Sequence, residues 1–263
     1  MSQIRQPAVS GSFYPDNPEV LKTMLEGYLQ QITVAPVNKA PKAIIVPHAG
    51  YIYSGDIAAS AYARLRPRRN TIKRVVLLGP SHKVGFTGLA LSHAEAFRTP
   101  LGDIPLDTEA ITSLINYPFV DYMDQAHLFE HSLEVQLPFL QVTLDSFQLI
   151  PIVVGDCPAE KIVQILELFY GKDDTLIVIS SDLSHFHDYA TAQLLDKETS
   201  KKIEHLDYQH LDYDNACGRA PVSGLLALAK KKSLQIENID LRNSGDTAGD
   251  KSRVVGYGAY VIN

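Results

Sequence analysis

Three histidines follow short apolar runs of this sequence, each at a turn that contains glycine, proline or serine. They are His48, His82 and His185. Neutral imidazole binds transition metals, and it can also accept and donate a proton near neutral pH. In open α/β sheets ligands bind beyond the carboxyl ends of the strands, so we expect the three imidazoles to share one pocket.

A metal held by two of these imidazoles needs a further ligand. Two imidazoles and one carboxylate, with open coordination positions, suit non-haem iron(II), whereas imidazoles with sulfur favour copper or zinc. The candidates for the third ligand are Asp182, Asp246 and Cys217. Asp182 lies close before His185 in the chain, and it can instead hydrogen-bond an imidazole and fix its tautomer. The residues alone leave these alternatives open.

A second histidine pattern competes with this interpretation. Residues 127–131 read H-L-F-E-H and match H-x-x-E-H, in which two helical histidines bind zinc and the glutamate is the base. The apolar spacing that follows predicts a helix that begins near Ser132, with Ser132 as its N-cap, and this separates His127 from His131. We therefore expect no zinc-protease chemistry and an exposed loop position for His127. Glu130 and His131 are expected to reach the pocket of the other histidines.

Four apolar, β-branched runs alternate with helical patterns, which is typical of parallel strands covered on both faces by helices. The runs are residues 43–46, 75–78, 149–154 and 176–179, and helices are predicted over 17–30, 54–65, 107–115, 132–144, 158–170, 190–204 and 221–232. Pro151 predicts an edge or bulged position for its run. Alternating residues in 88–91 and 234–262 predict antiparallel or edge strands. The fold class is therefore α/β: one three-layer domain over 1–263 with a mixed, largely parallel central sheet.

Composition excludes several classes of partner. The formal net charge of −6 and the pI near 5.8 give no general attraction for nucleic acid. The longest basic run, residues 230–232, ends an apolar helical segment, where lysines complement the helix dipole. No stretch approaches the ~20 apolar residues that span a bilayer, and the first residues lack an apolar signal core. We expect a cytoplasmic protein without nucleic-acid or membrane partners.

The two cysteines are Cys157 and Cys217, and their spacing predicts neither a disulfide framework nor a four-cysteine zinc site. Both are interpreted as small buried thiols, which fits a reducing compartment. The sequence contains no G-x-G-x-x-G, Walker-type or G-x-S-x-G pattern. Nucleotide binding and serine hydrolysis are therefore not favoured.

Several separated segments, taken in order, resemble the MEMO family nearly end to end. They are residues 5–15, 47–55, 79–82, 130–134, 180–185, 217–221 and 244–246. The resemblance implies a fold similar to the catalytic subunit of type III extradiol dioxygenases, which open catechol rings with iron(II) held by two histidines and a carboxylate. It also implies that His48 and His82 are the two imidazole ligands and that His185 takes the acid/base position.

The sequence departs from the eukaryotic branch of that family near its C-terminal end. That branch completes the site with a cysteine and is linked to iron or copper, but no cysteine follows Cys217 here. The resemblance therefore makes Asp246 the preferred third ligand. A carboxylate in place of a thiolate shifts the preference from copper(I) toward iron(II).

The main hypothesis is a metal-binding oxidoreductase that acts on an unidentified small molecule. Its metal, iron(II) or copper, is assigned to His48, His82 and Asp246, and proton transfer or hydrogen bonding to Asp182, His185 and His131. The alternative is a non-enzymatic protein that binds a peptide or a partner at a relic cleft. The resemblance also implies pathway partners of the radical-SAM and AMMECR-like kinds.

Overall fold

The computed structural model describes residues 3–33 and 40–263. The α-helices within these ranges are α1 Pro18–Gln31, α2 Tyr51–Tyr62, α3 Thr108–Leu114, α4 Asp124–Leu128, α5 Gln136–Thr143, α6 Ala159–Glu167, α7 Tyr189–Glu204 and α8 Arg219–Lys231. The strands are β1 Ile4–Arg5, β2 Ala43–Val46, β3 Arg74–Pro80, β4 Leu89–Leu91, β5 Ala96–Thr99, β6 Gly102–Pro105, β7 Val120–Tyr122, β8 Gln148–Val154, β9 Thr175–Ser180, β10 His185–His187, β11 Ile236–Asn243 and β12 Val254–Ile262. Short 3₁₀ turns occupy Ala63–Arg68, Tyr208–His210 and Ser244–Asp246.

The larger sheet runs in the order β10-β12-β2-β9-β3-β8-β4-β7, and β11 pairs with β12. Its centre, β2-β9-β3-β8, is parallel, whereas β12 is antiparallel to β2, β10 and β11, and β4 is antiparallel to β8. The four apolar runs form the parallel centre, and helices cover both faces. The predicted three-layer α/β fold with a mixed, largely parallel sheet is thus confirmed, as are the antiparallel strands predicted in 88–91 and 234–262.

The prediction that the strand with Pro151 takes an edge or bulged position is wrong. β8 lies inside the sheet, between β3 and β4. Pro151 is opposite Leu77 of β3, but the short β4 pairs only with Val153 and Val154. The proline is therefore tolerated because no strand requires its missing amide hydrogen on the β4 side.

Most predicted helices are present, and the clearest boundary is that of α1. Asn17 caps it by accepting the amide hydrogens of Glu19 and Val20, and its buried stripe is Leu21, Leu25 and Leu29. The predicted helix from Ser132 begins later, at Gln136. No helix in the described ranges is both long enough and apolar enough to cross a bilayer.

Three parallel strands deliver their carboxyl ends to one edge of the sheet. β2 ends at Val46, which is in register with Ser180 at the end of β9, and β3 runs beside β9 to Pro80. The loops that follow carry His48, His82 and Asp182. Parallel neighbours end on the same side of a sheet, so these loops converge as the sequence predicts.

Candidate metal centre

Three histidines meet beyond these strand ends: His48, His82 and His131. Each offers one ring nitrogen, and the three nitrogens lie within 4.8 Å of one another. The ring centroids are 5.2 Å apart for His48 and His82, 5.5 Å for His48 and His131, and 4.5 Å for His82 and His131. Among the described residues, these three side chains form the group that is close enough together to hold a metal ion.

A hydroxyl group fixes the tautomer of His48. Ser180 Oγ donates its one hydrogen to the carbonyl oxygen of Ser132 at 2.6 Å and accepts one from Nε2 of Gln136 at 2.8 Å. The same Gln136 nitrogen donates to the carbonyl of Pro47, which fixes the amide's orientation. Ser180 therefore accepts from Nδ1 of His48, 2.9 Å away. The free lone pair of His48 is on Nε2.

A carboxylate fixes the tautomer of His82. Glu130 Oε1 lies 2.8 Å from Nδ1 of His82 and also accepts the amide of Ser132, while Oε2 accepts the amide of His82. Burial raises the pKa of Glu130, but the hydrogen bonds and charge of His82 outweigh it and hold that pKa at about 2. The ionised carboxylate can only accept, so Nδ1 of His82 carries hydrogen, and in the neutral ring the lone pair is on Nε2.

His131 completes the cluster from the loop before α5. Its ring lies against Phe13, with centroids 4.9 Å apart, and its Nδ1 is 3.5 Å from Oε1 of Glu130. Burial lowers the pKa of His131, and so does the nearby His82. The pKa of His48 is lowered more strongly, first by burial and then by His82 and His131. Both imidazoles are thus neutral at neutral pH, which is the form that binds metal.

Asp182 and His185 lie beside the cluster, at a cleft of about 450 Å³ that His131 also lines. Oδ1 of Asp182 accepts the amide of His48 at 2.7 Å, and Oδ2 is 3.9 Å from Nε2 of His48. Burial raises the pKa of Asp182, against the lowering effect of His185 and of the His48 amide. The structure therefore brings five sequence-selected residues together: His48, His82, His131, Asp182 and His185.

The structure does not bring Asp246 into this group. Asp246 is exposed, its Oδ1 accepts the hydroxyl hydrogen of Tyr189 at 2.5 Å, and its Oδ2 accepts the amide of Asn243 at 2.9 Å. This carboxylate caps a 3₁₀ turn and borders a different cavity, which Gln193 and Lys197 also line. The Tyr189 hydroxyl and the local capping interaction, rather than the cluster, occupy its two oxygens.

Cys217 lies against His48, although it is outside the three-histidine cluster. Its Sγ is 3.3 Å from Nε2 of His48 and also accepts the amide of Asp182 at 3.3 Å. Burial raises the pKa of the Cys217 thiol, and the charge of Asp182 raises it further. The protonated thiol can donate either to Nε2 of His48 or to the carbonyl oxygen of Asp182, 3.7 Å away, and the second choice leaves the lone pair of His48 free. Cys217 is one of the three third-ligand candidates of the sequence analysis, and the structure places its sulfur beside His48.

The prediction for His127 is wrong. This residue lies in α4, its exposed fraction is 2%, and its Nε2 donates to the carbonyl oxygen of Ala90 at 3.0 Å. Burial is the main reason that the pKa of His127 falls to about 4. α4 ends at Leu128 and α5 begins at Gln136, so His127 and His131 do not share a helix. The zinc-protease pattern has no structural counterpart here.

The loop that carries Glu130 and His131 is held by the N-terminal segment. Arg5 forms a buried ion pair with Glu134 and donates to the carbonyl oxygens of His127 and Glu130. Glu134 also accepts the hydroxyl of Tyr14 at 2.6 Å and the amides of residues 8 and 9. Residues 132–135 form turns before α5, and the Ser132 hydroxyl does not cap the helix but donates to the carbonyl of Pro80. The partners are far apart in sequence, so helical periodicity carries no sign of them.

Comparison with known proteins agrees with this architecture. A family model described as Memo-like protein matches residues 5–261. A MEMO1 family protein of Sulfolobus acidocaldarius is 37% identical over 279 residues, and one of Aquifex aeolicus is 37% identical over 271; each alignment covers 97% of both chains. A third, from Methanosarcina barkeri, is 36% identical over 273 residues, covering 98% of this chain and 100% of the relative. The resemblance seen in the sequence motifs is confirmed, and the chain belongs to the Memo-like protein family.

Proposed function

We propose that the protein binds a redox-active transition metal, iron or copper, through His48, His82 and His131, and acts as an oxidoreductase on a small molecule in the adjoining cleft. The observation that supports this proposal is the three ring nitrogens within 4.8 Å of one another. Three protein ligands leave at least one coordination position for a small molecule.

The donors fit a metal in chemistry as well as in spacing. Ser180 and Glu130 hold hydrogen on Nδ1 of His48 and His82, so each Nε2 has its lone pair available without any change of tautomer. The lowered pKa of His48 and His131 keeps those rings unprotonated. When bound, such a metal supplies electron transfer and polarises a coordinated oxygen.

His131 replaces Asp246 as the third ligand in this proposal. A carboxylate ligand favours iron(II), but neutral imidazoles suit iron, copper and zinc alike. Three imidazole ligands therefore do not favour iron over copper, and the proposal includes both metals.

Asp182 and His185 are proposed as the groups that move protons in the cleft. Asp182 is buried beside His48, and its raised pKa brings proton uptake closer to neutral pH than in an exposed aspartate. His185 is half-buried at the same cleft, where a bound molecule can reach its ring. Together they can take a proton from a hydroxyl of the ligand and return one to the product.

The metal content of anaerobically purified and metal-loaded protein tests the ligand set. We expect near-stoichiometric iron or copper in the wild type and in Asp246→Ala, and little in His131→Ala or in the double variant His48→Ala/His82→Ala. Retention in His131→Ala together with loss in Asp246→Ala contradicts the ligand set.

Oxygen uptake by the loaded protein tests the redox part separately. We expect uptake with a suitable phenolic compound that depends on the metal and falls in His185→Gln while metal content stays the same. A protein that binds zinc but neither iron nor copper contradicts an oxidoreductase role.

A further inference from the structure

We propose that the molecule bound in the cleft beside His131 and His185 is an aromatic carboxylate, whose carboxylate group is recognised by Arg253. This inference rests on the proposed function in one respect, namely that this cleft is where the small molecule binds. It adds the chemical class of that molecule and makes Arg253 the residue that determines specificity.

The cleft has the size and lining of a site for one small ring. Its volume of about 450 Å³ lies within the roughly 300–1,000 Å³ typical of small-molecule sites. Aromatic side chains line it: Phe13, Tyr53 and Tyr257. The rings of Phe13 and His131 already pack together, with centroids 4.9 Å apart and planes tilted by 60°, so a bound aromatic ring would join an existing aromatic contact.

Arg253 is the one permanently charged cation among the residues that line this cleft. Its guanidinium lies over the ring of Phe186, 4.4 Å from the centroid. Within the described part of the chain it forms no ion pair. The nearby carboxylate of Asp250 instead accepts the amide of Ser252 at 2.6 Å. Arg253 is thus an exposed side chain whose guanidinium packs on Phe186 and has no anionic partner among the described residues.

The backbone at Phe186 places this platform next to His185. Phe186 has φ +65°, a conformation that bulky residues rarely adopt, and the pairing of β10 with β12 shifts register between His185 and His187. The ring of Phe186 consequently points outward, with an exposed fraction of 60%, beneath Arg253. The same bulge therefore positions both a proton-transfer candidate and the support of the arginine.

A carboxylate fits these groups better than a more highly charged anion. One guanidinium offers two parallel donors, which match the two oxygens of a carboxylate. Because this lining has no second permanent cation, a dianion would be left partly uncompensated.

Binding of benzoate and of benzamide, its neutral near-isostere, to the metal-free protein tests the inference. The dissociation constants come from NMR titrations of the isotope-labelled full-length chain. Metal-free protein is used so that a carboxylate bound to a metal cannot imitate the effect. We expect benzoate to bind about tenfold more tightly than benzamide, as a charge-assisted hydrogen-bond pair implies.

Two variants assign the preference to one residue. Arg253→Gln is expected to reduce the ratio of the benzamide dissociation constant to the benzoate dissociation constant to about one. Lys251→Gln removes an equal charge two positions away, from a side chain that lies over Tyr189 and does not line the cleft, and should keep the ratio. Equal binding of the two compounds by the wild type, binding of neither, or an unchanged ratio in Arg253→Gln overturns the inference. None of these results affects the metal-content test, so the two proposals fail separately.

Discussion

At the scale of residues, the proposed metal site depends on two groups outside the three-histidine cluster. Ser180 and Glu130 each receive Nδ1–H from an imidazole and so leave Nε2 free on His48 and His82. In metal sites such partners set the orientation and tautomer of the ligand, and their loss typically costs about 10–100-fold in metal affinity.

The first prediction concerns Ser180. Ser180→Ala removes the acceptor for Nδ1 of His48, so that ring can rotate or change tautomer. We expect metal affinity to fall by about 10–100-fold, measured by competition with a chelator of known affinity. Ser181→Ala is the control, because the Ser181 hydroxyl contacts backbone groups and no imidazole. Equal losses in both variants would show a general structural effect instead.

The second prediction concerns pH and His127. The pKa of this residue is 6.5 when unfolded and about 4 when folded, so the unfolded chain takes up the proton first as pH falls. Its contribution to the free energy of unfolding is therefore complete above pH 6.5 and is lost as pH falls toward 4. It amounts to at most about 3 kcal/mol.

Chemical denaturation of His127→Gln at pH 7 and pH 4.5 measures this contribution. The glutamine amide can still donate to Ala90, but it does not titrate. We expect the variant to lose less stability than the wild type over this range, whereas the exposed control His205→Gln behaves like the wild type. A wild-type pH dependence in His127→Gln would contradict the assignment.

At the scale of elements, the loop between α4 and α5 is the part of the site that long-range contacts build. Arg5, the last residue of β1, binds this loop through Glu134 and through carbonyl groups. Glu134 has an exposed fraction of 0%, so this pair is fully withdrawn from water. Removing one partner from a buried pair costs roughly 3–5 kcal/mol, because the other charge is left uncompensated.

The third prediction follows from this buried pair. We expect Glu134→Gln to lower the free energy of unfolding by about 3 kcal/mol or more and to weaken metal binding, because the loop positions His131. Arg98→Gln breaks the exposed pair with Asp103 and should change the free energy of unfolding far less. Unfolding by denaturant measures the first effect, and metal titration the second. A small change in both for Glu134→Gln would contradict the role of the pair.

The elements also show what the sequence could and could not reveal. The strand runs were predictable because β2, β3, β8 and β9 are buried on both faces and therefore almost wholly apolar. The convergence of His48 and His82 followed from that. The position of the loop before α5 was hidden, because the bonds that hold it come from Arg5 and Tyr14, far away in the sequence. The position of Asp246 was hidden too, since capping and Tyr189 hold its carboxylate.

At the scale of the whole molecule, the cluster joins loops that lie far apart in the sequence to one sheet. His48 and His82 follow central strands, whereas His131 depends on the N-terminal segment. A metal that bridges these parts binds only the folded chain. It should therefore stabilise the entire domain by mass action.

The fourth prediction concerns the stabilisation of the folded chain by bound metal. At a free metal concentration about 100 times the dissociation constant, the free energy of unfolding should rise by about 2.7 kcal/mol. The double variant His48→Ala/His82→Ala should show no such rise. Thermal unfolding with and without metal, and again after chelation, measures the effect. Equal stabilisation of both proteins would place the metal elsewhere.

X-ray absorption spectroscopy of the iron- or copper-loaded protein tests the central claim most directly, because it counts imidazole and sulfur ligands. The three-histidine account predicts three imidazole donors and no sulfur, with the same spectrum in Asp246→Ala and in Cys217→Ala. Two imidazoles with a spectrum that changes in Asp246→Ala, or a sulfur ligand that disappears in Cys217→Ala, would contradict it.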